Sequence, residues 1–270
     1  MTAAAIREEQ IWLINRRGQR LIADIARPSD AREKSSVLVL HGLGGHRNEP
    51  HMAAVGRAIV ERGITTMRVD LANNAGESEG SFRDLTLSSE VDDAEDALEF
   101  MLTADRSSGR RIGAAGHSAG GLVAMLLAAR RREVESLALM SAVFDAPARF
   151  RTNFAAREAE WRRRGAIEIG GGQTLGIDFF DDLTKWDVRW EATRVAVPAI
   201  IVHGDADDEV SPDETWEYER HLGSSRRELH MIAGADHTYT QDVWRIEAAG
   251  TVATWFSETL AADPAGTMTT

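Results

Sequence analysis

The chain has 270 residues, 43% of them apolar, which suits one α/β domain with a modest insertion. It contains no cysteine, which excludes disulfides, thiolate metal sites and cysteine nucleophiles and makes the cytoplasm the expected location. The formal net charge of −12 repels nucleic-acid phosphates and anionic lipids, and no apolar run reaches membrane-spanning length. We therefore expect neither a nucleic acid nor a membrane as partner, and either a monomer or a homodimer. Residues 1–10 carry no apolar core of a signal peptide.

The first predicted elements form an antiparallel hairpin, with strands at 10–15 and 20–26 around Arg16-Arg17-Gly18-Gln19. Beyond it, short runs rich in leucine or β-branched residues alternate with helical patterns, as in a parallel sheet with crossover helices. These runs predict strands at 36–40, 65–70, 111–116, 135–140, 197–203 and 228–232. Helices are predicted at 51–62, 88–104, 119–131, 212–222 and 242–261.

One stretch, residues 143–193, interrupts the alternation and is too long for a single crossover. It contains a helix-like segment at 146–164, three consecutive glycines at 170–172 that we interpret as a mobile loop, and a tryptophan-rich piece. We predict a cap inserted over the carboxyl edge of the sheet, where open α/β folds bind ligands. The core then comprises 1–142 and 194–262, and 263–270 is a predicted disordered tail.

The strongest local signal is Gly116-His117-Ser118-Ala119-Gly120, a G-x-S-x-G motif between a predicted strand and a predicted helix. A tight strand-to-helix turn strains the backbone of its central serine and requires small neighbours two residues away. Gly116 and Gly120 meet that requirement. A structural glycine-rich turn is the alternative, but the context favours Ser118 as a nucleophile.

A serine nucleophile needs a base and an acid, which follow it in the order acid, then histidine, in this type of fold. His237 lies in a loop after the last predicted strand, at the carboxyl edge, and is the predicted base. His203, His221 and His230 lie within predicted strands or a helix and are interpreted as packed or structural residues. The acid lies among Asp205, Asp207 and Asp208, and Asp207 is our choice because Asp205 can cap the turn instead.

Two backbone N–H groups are predicted to hold the oxyanion of the tetrahedral intermediate. One belongs to Ala119, at the start of the helix that follows the serine, and the other to Leu43, in the loop His41-Gly42-Leu43-Gly44-Gly45-His46. The loop lacks G-x-G-x-x-G and a following Gly-Lys-Ser/Thr, which argues against a nucleotide site. The acidic loop at 205–210 lacks the spacing of a calcium loop, so no metal or cofactor is expected.

These motifs, together with Gly76-Glu77-Ser78-Glu79-Gly80 and Asp236-His237, resemble the α/β-hydrolase superfamily, and within it the small esterases of the feruloyl and cinnamoyl type. The resemblance runs over nearly the whole chain. It implies an α/β-hydrolase fold with an eight-stranded, mostly parallel sheet, flanking helices and a small cap. It also implies Asp207 as the catalytic acid, and Leu43 and Ala119 as the oxyanion hole. Where the family often has Gly-His-Gly-x-Ser, this chain has Asn74 at the first position, which tolerates positive φ.

The expected activity is hydrolysis of a carboxylic ester, with or without an aromatic acyl group, through an acyl-enzyme at Ser118. Trp161, Trp186 and Trp190 either form a wall of the substrate pocket or pack as the core of the cap. Thioester, peptide and C–C bond hydrolysis are alternatives, because the same triad serves all of them. A non-catalytic binding protein is a further alternative, but such proteins usually lose a triad residue, and here all three positions are filled.

Overall fold

The structure, a computed structural model, describes residues 6–29, 35–104 and 111–261. The predicted tail at 263–270 lies outside this part of the chain. The strands of the described part are β1 (Ile6–Ile14), β2 (Arg20–Pro28), β3 (Ser35–Leu40), β4 (Thr65–Val69), β5 (Arg111–His117), β6 (Val134–Met140), β7 (Ala166–Gly170), β8 (Gln173–Gly176), β9 (Ala199–Gly204) and β10 (Arg227–Ile232). Its α-helices are α1 (Pro50–Glu61), α2 (Leu87–Ala104), α3 (Ala119–Arg130), α4 (Ala146–Phe154), α5 (Glu158–Arg164), α6 (Ile177–Leu183), α7 (Val188–Thr193), α8 (Glu214–His221) and α9 (Asp242–Thr259).

Eight strands form one sheet in the order β1-β2-β4-β3-β5-β6-β9-β10. The β1–β2 and β2–β4 pairs are antiparallel, and every other pair in this sheet is parallel. The prediction of an eight-stranded, mostly parallel sheet with a leading hairpin is therefore confirmed, although the hairpin strands are longer than predicted. Parallel pairing brings the ends of β3, β5, β9 and β10 to one edge of the sheet.

Helices cover both faces of this sheet, and the alternation of side chains along β3 shows how the core is divided. Leu38 and Leu40 pack in the cluster that contains buried residues of α2 and α3. Val37 and Val39 point the other way, into the cluster formed with α1 and α9. All four side chains are fully buried, which explains why the strand reads as a continuous apolar run.

The segment between β6 and β9 differs in detail from the prediction. The helix predicted at 146–164 is wrong as a continuous element, because a 3-10 turn at Ala155–Arg157 separates α4 from α5. Packing favours the break, since it lets the rings of Phe154 and Trp161 approach to 5.5 Å. In a straight helix these residues would stand about 10 Å apart along the axis. That this segment is a cap distinct from the core stays a prediction.

Of the three glycines at 170–172, Gly170 ends β7 and the other two form the turn of the β7–β8 hairpin, which is a separate two-stranded sheet. All three have positive φ, of 135°, 58° and 76°, a conformation that other residues adopt only with strain. Their role is to close this hairpin; the mobility predicted for them stays a prediction. Within the described residues, no helix combines the length and the apolar character needed to cross a lipid bilayer.

Candidate active site

Ser118 lies at the turn between β5 and α3, and its backbone has φ of 54° and ψ of −122°. This conformation is strained for any residue with a side chain. The flanking glycines are required by contact: a Cβ on Gly116 would collide with the carbonyl oxygen of Gly120, and one on Gly120 with that of His41. The predicted tight turn is therefore present, with Ser118 at its apex.

Asp207 and His237 follow the adjacent parallel strands β9 and β10, so both lie at the edge where β5 ends. The Nδ1 atom of His237 is 2.8 Å from the Oδ2 atom of Asp207, and both side chains are buried. Because the carboxylate can only accept, Nδ1 carries the ring proton and donates a hydrogen bond to Asp207. Nε2 is left as the unprotonated nitrogen of the neutral ring, which is the tautomer that a general base requires.

Hydrogen bonds in the β9–α8 loop distinguish Asp207 from its acidic neighbours. Its Oδ1 atom accepts the backbone N–H groups of Glu209, at 3.0 Å, and Val210, at 2.8 Å. Asp205 instead accepts the N–H group of Gly234, at 2.6 Å, and Asp208 is exposed. Among the three candidates, only Asp207 is bonded to His237.

His203 also contacts Asp207, although its position inside a strand predicted only packing. Its Nε2 atom is 3.1 Å from the Oδ2 atom of Asp207 and 3.0 Å from the carbonyl oxygen of Val210. Both partners are acceptors, so Nε2 carries the proton. Two imidazoles thus donate to one carboxylate oxygen. The signal that could have found His203 is its place at the end of β9, four residues before Asp207.

The pKa of Asp207 reflects opposing effects of this environment. Burial alone raises the pKa, but the hydrogen bonds from His203, His237 and the backbone N–H group of Val210 outweigh it and hold the pKa below its ordinary value. The side chain of Asp207 is therefore an anion at neutral pH, as a group that stabilises a protonated histidine has to be.

Ser118 and His237 line one cavity of about 450 Å³, which Leu43 and Ala119 also line. The Ser118 hydroxyl forms no hydrogen bond to the His237 ring here, and catalytic hydrogen bonds are often long in unliganded enzymes. The structure thus brings the predicted serine and histidine into one cavity and bonds the histidine to the predicted acid.

The backbone N–H groups of Leu43 and Ala119 have no acceptor among the described residues. The N–H groups that follow Leu43 in the loop 41–46 do have acceptors: Gly44 donates to Asn74 Oδ1 at 2.8 Å, and Gly45 donates to the carbonyl of Gly42 at 3.0 Å. Leu43 and Ala119 are both half-buried and line the cavity, so their N–H groups are available to an oxyanion bound there. The loop 41–46 also lies close to Ser118, since a Cβ on Gly42 would lie 3.1 Å from the Cβ of Ser118.

Asn74 supports this loop through its side chain rather than through its backbone. The residue with positive φ is Asn73, at 65°, so the turn does not use the tolerance of Asn74 for positive φ. Asn74 accepts from Gly44 and donates from Nδ2 to Oε1 of Glu90, at 3.2 Å. Glu90 is buried in α2, and burial raises its pKa to about 8. A largely neutral carboxyl group therefore supports, through Asn74, the loop that carries Leu43.

The buried carboxyl group of Glu90 should make stability depend on pH. Its pKa in the folded protein lies above that of the unfolded chain, so its contribution is complete below about pH 4.5 and is lost as pH rises through about 8. Glu90→Gln should remove this loss, so that its free energy of unfolding above pH 8 exceeds that of the wild type by roughly 5 kcal/mol. Urea unfolding between pH 4 and 9 measures it. The exposed Glu99→Gln on the same helix is the control, and a Glu90→Gln profile parallel to wild type would contradict the assignment.

Two further histidines pack behind the His237 ring. The His117 and His237 ring centroids lie 4.7 Å apart, and those of His51 and His117 lie 4.2 Å apart. The Nε2 atom of His117 donates to the carbonyl oxygen of His237 at 2.8 Å. Burial lowers the pKa of both supporting histidines, that of His51 to about 4, so both are neutral at pH 7. They position the loop of His237 without adding charge.

The structure places none of the three predicted tryptophans at the cavity. Trp161 is fully buried and donates to the carbonyl of Leu175 at 3.0 Å, so it is core. Trp186 packs under the Arg130 guanidinium at 4.4 Å, and Trp190 is 56% exposed. Their prediction as substrate-binding residues is therefore corrected.

The apolar wall of the cavity comes instead from Phe150 and Phe154 on α4, Ile169 on β7, Val143 and Leu43. The Phe150 and Phe154 rings are stacked, with centroids 5.5 Å apart. Their four-residue spacing on a predicted helix is the sequence signal that could have found them. No group of three or more His, Asp or Glu side chains in the described part of the chain could hold a metal ion.

A sequence model described as the alpha/beta hydrolase family matches residues 37–268. The chain belongs to the α/β-hydrolase family. No curated protein matches it. The resemblance seen in the sequence and the predicted fold class are both confirmed.

Several solved structures share the fold of this α/β hydrolase at low identity. Est1E from Butyrivibrio proteoclasticus, with ferulic acid bound, has a TM-score of 0.79 and 24% identity, covering 93% of this chain and 100% of that one. Alpha/beta hydrolase domain-containing protein 10 from mouse has a TM-score of 0.77 and 15% identity, covering 93% and 99%. Dienelactone hydrolase from Anabaena variabilis has a TM-score of 0.69 and 17% identity, covering 95% and 99%.

Proposed function

We propose that this α/β hydrolase is a serine esterase that cleaves carboxylic esters through an acyl-enzyme. The observation that carries the proposal is the 2.8 Å hydrogen bond between His237 and Asp207 beside a cavity that holds a strained serine, Ser118. A buried carboxylate that orients a histidine toward such a serine is the arrangement of a catalytic triad.

In the proposed first step, Ser118 Oγ attacks the carbonyl carbon of the ester while Nε2 of His237 takes the hydroxyl proton. The carbonyl electron pair moves to its oxygen, where the N–H groups of Leu43 and Ala119 bind it. The intermediate collapses, and His237 donates the proton to the leaving alkoxide. Water, deprotonated by His237, then cleaves the acyl-enzyme, releasing the acid and restoring Ser118.

The lining of the cavity supports an acyl group with an aromatic ring. Phe150 and Phe154 offer ring faces, and aromatic pairs gain about 1 kcal/mol beyond their buried area. Est1E, a protein of similar fold, binds ferulic acid. We therefore include aromatic carboxylic esters among the proposed substrates.

Labelling with a fluorophosphonate tests the proposed nucleophile directly. We expect one label per chain, on the peptide that contains Ser118, with labelling lost in Ser118→Ala. Methyl ferulate, p-nitrophenyl esters, an acyl-CoA and an aminoacyl anilide then rank the chemistry. An unlabelled Ser118 would contradict the triad, and faster turnover of the thioester or the anilide would displace the ester assignment.

The contact of His203 with Asp207 predicts a positioning role. His203→Leu removes one donor to the carboxylate and should lower kcat about tenfold with little change in KM, since one hydrogen bond to a charged group is worth about 1.5 kcal/mol. His203→Gln keeps an N–H donor near the Nε2 position and should recover most of the loss. Steady-state kinetics on one ester measures both variants. Equal losses in the two would mean that His203 acts only through packing.

A further inference from the structure

One arginine lines the proposed catalytic cavity without a counterion. Arg149 lies on α4 and is half-buried beside Phe150. No other arginine and no lysine line this cavity. In a protein of net charge −12, a permanent cation at this position calls for an explanation.

The contacts of Arg149 leave its charge unbalanced. A guanidinium has five N–H donors, and among the described residues Arg149 donates one hydrogen bond, from Nη2 to the carbonyl oxygen of Glu209. That acceptor is neutral. Among the described residues, no carboxylate lies within 4.0 Å of Arg149, whereas Arg189, also in the 143–193 segment, pairs with Asp145 at 3.0 Å. The contact with Glu209 leaves the other N–H donors of the guanidinium available.

The surroundings strengthen an interaction with an anion. Phe150, Phe154 and Ile169 make this part of the cavity apolar, so charge pairs inside are less screened than in water. The planar guanidinium fork matches the two oxygens of a carboxylate. Two acidic residues, Glu49 and Glu209, also line the cavity, and neither carboxylate lies within 4.0 Å of Arg149. Glu49 belongs to the loop before α1, where burial raises its pKa, and Glu209 belongs to the β9–α8 loop. The positive and negative groups thus come from different elements.

We propose that Arg149 forms an anion-binding subsite that selects esters carrying a second, free carboxylate away from the scissile bond, such as monoesters of dicarboxylic acids. This inference rests on the proposed esterase function, because it names the substrate class of that same cavity. The free carboxylate binds the guanidinium while the ester carbonyl lies at Ser118.

Matched substrates test the subsite. Monomethyl adipate and monomethyl terephthalate are compared with their neutral amide analogues, methyl adipamate and methyl 4-carbamoylbenzoate, and with cationic methyl 4-(aminomethyl)benzoate. We expect wild-type kcat/KM to favour the anionic member of at least one pair about tenfold or more, and this preference to fall with added salt. Arg149→Met should lose about ten- to a hundredfold on that anionic ester and less than about twofold on its neutral partner. Arg149→Glu should reverse the preference.

Arg151→Met is the matched control, since Arg151 is an exposed residue of the same helix that does not line the cavity. It should retain the wild-type preference. Equal turnover of anionic and neutral esters by wild type, or a preference for the cationic ester, would overturn the subsite while leaving the esterase function intact.

Binding separates failure of the subsite from failure of the proposed chemistry. Calorimetric titration of Ser118→Ala with the monomethyl esters should give a Kd about tenfold or more below that of the double variant carrying Arg149→Met. If no ester is hydrolysed yet this difference is found, the esterase function fails and the subsite stands. Equal Kd values in the two proteins, or no binding to either, would overturn the subsite whatever the turnover.

Discussion

Ser118→Ala is expected to lower kcat for ester hydrolysis by about 10⁴-fold or more, because no other group in the cavity takes over nucleophilic attack. The fold should persist, since alanine adopts the φ of 54° at the same strain as serine and removes only a hydroxyl. Single-turnover and steady-state assays with one activated ester measure the loss.

Ser141→Ala is a matched control for this change. Ser141 also has a positive φ, of 41°, and is buried, but it does not line the cavity. Its hydroxyl bonds Tyr239 at 3.0 Å, so the variant tests the cost of removing a buried hydroxyl from a strained position. We expect kcat within a few-fold of wild type. A Ser118→Ala protein that is no slower than Ser141→Ala would refute the nucleophile.

Asp207→Asn should also lower kcat by about 10⁴-fold, and the hydrogen bonds of the carboxylate explain why. The N–H groups of Glu209 and Val210 point at Oδ1, so the amide oxygen has to occupy that position. The amide NH₂ group then faces His237 in place of Oδ2. His237 can accept from it only through an unprotonated Nδ1, which puts the ring proton on Nε2 and blocks proton transfer from Ser118.

The tautomer itself is measurable in this variant. ¹⁵N NMR of the His237 ring should show the proton on Nδ1 in wild type and on Nε2 in Asp207→Asn. Asp208→Asn serves as the control, because Asp208 is exposed in the same loop, and its kcat should stay within about twofold of wild type, as for most surface substitutions. A slow Asp208→Asn enzyme beside a fast Asp207→Asn enzyme would reverse the assignment of the acid.

The Glu90–Asn74–Gly44 chain of hydrogen bonds links the core to the proposed oxyanion hole. Burial of the Glu90 carboxyl group disfavours its charged form and raises its pKa. Asn74 donates to this carboxyl group and accepts from Gly44, in the loop that carries Leu43. A pocket can therefore be built from residues that never touch substrate, and the sequence offers no local pattern for them. Asn74 and Glu90 are 16 residues apart and lie on different elements.

Local patterns succeeded where one short segment imposes a physical constraint. The turn at Ser118 could be predicted because its strained backbone leaves no room for side chains on the flanking glycines. Strand β3 could be predicted because a strand buried on both faces needs apolar residues throughout. The choice among Asp205, Asp207 and Asp208 was harder, since it depends on hydrogen bonds from β9 and from a loop 30 residues away.

By itself, the sequence determined the order of strands and helices outside residues 143–193, the strained serine and the three positions proposed for catalysis. Periodicity, backbone strain and the edge rule for parallel sheets all act within short stretches, which is why they can be read from the chain. Only the tertiary structure decided which aromatic side chains face the cavity, that His203 shares the Asp207 carboxylate, and that Arg149 stands there without a counterion. Each of these depends on how distant segments pack.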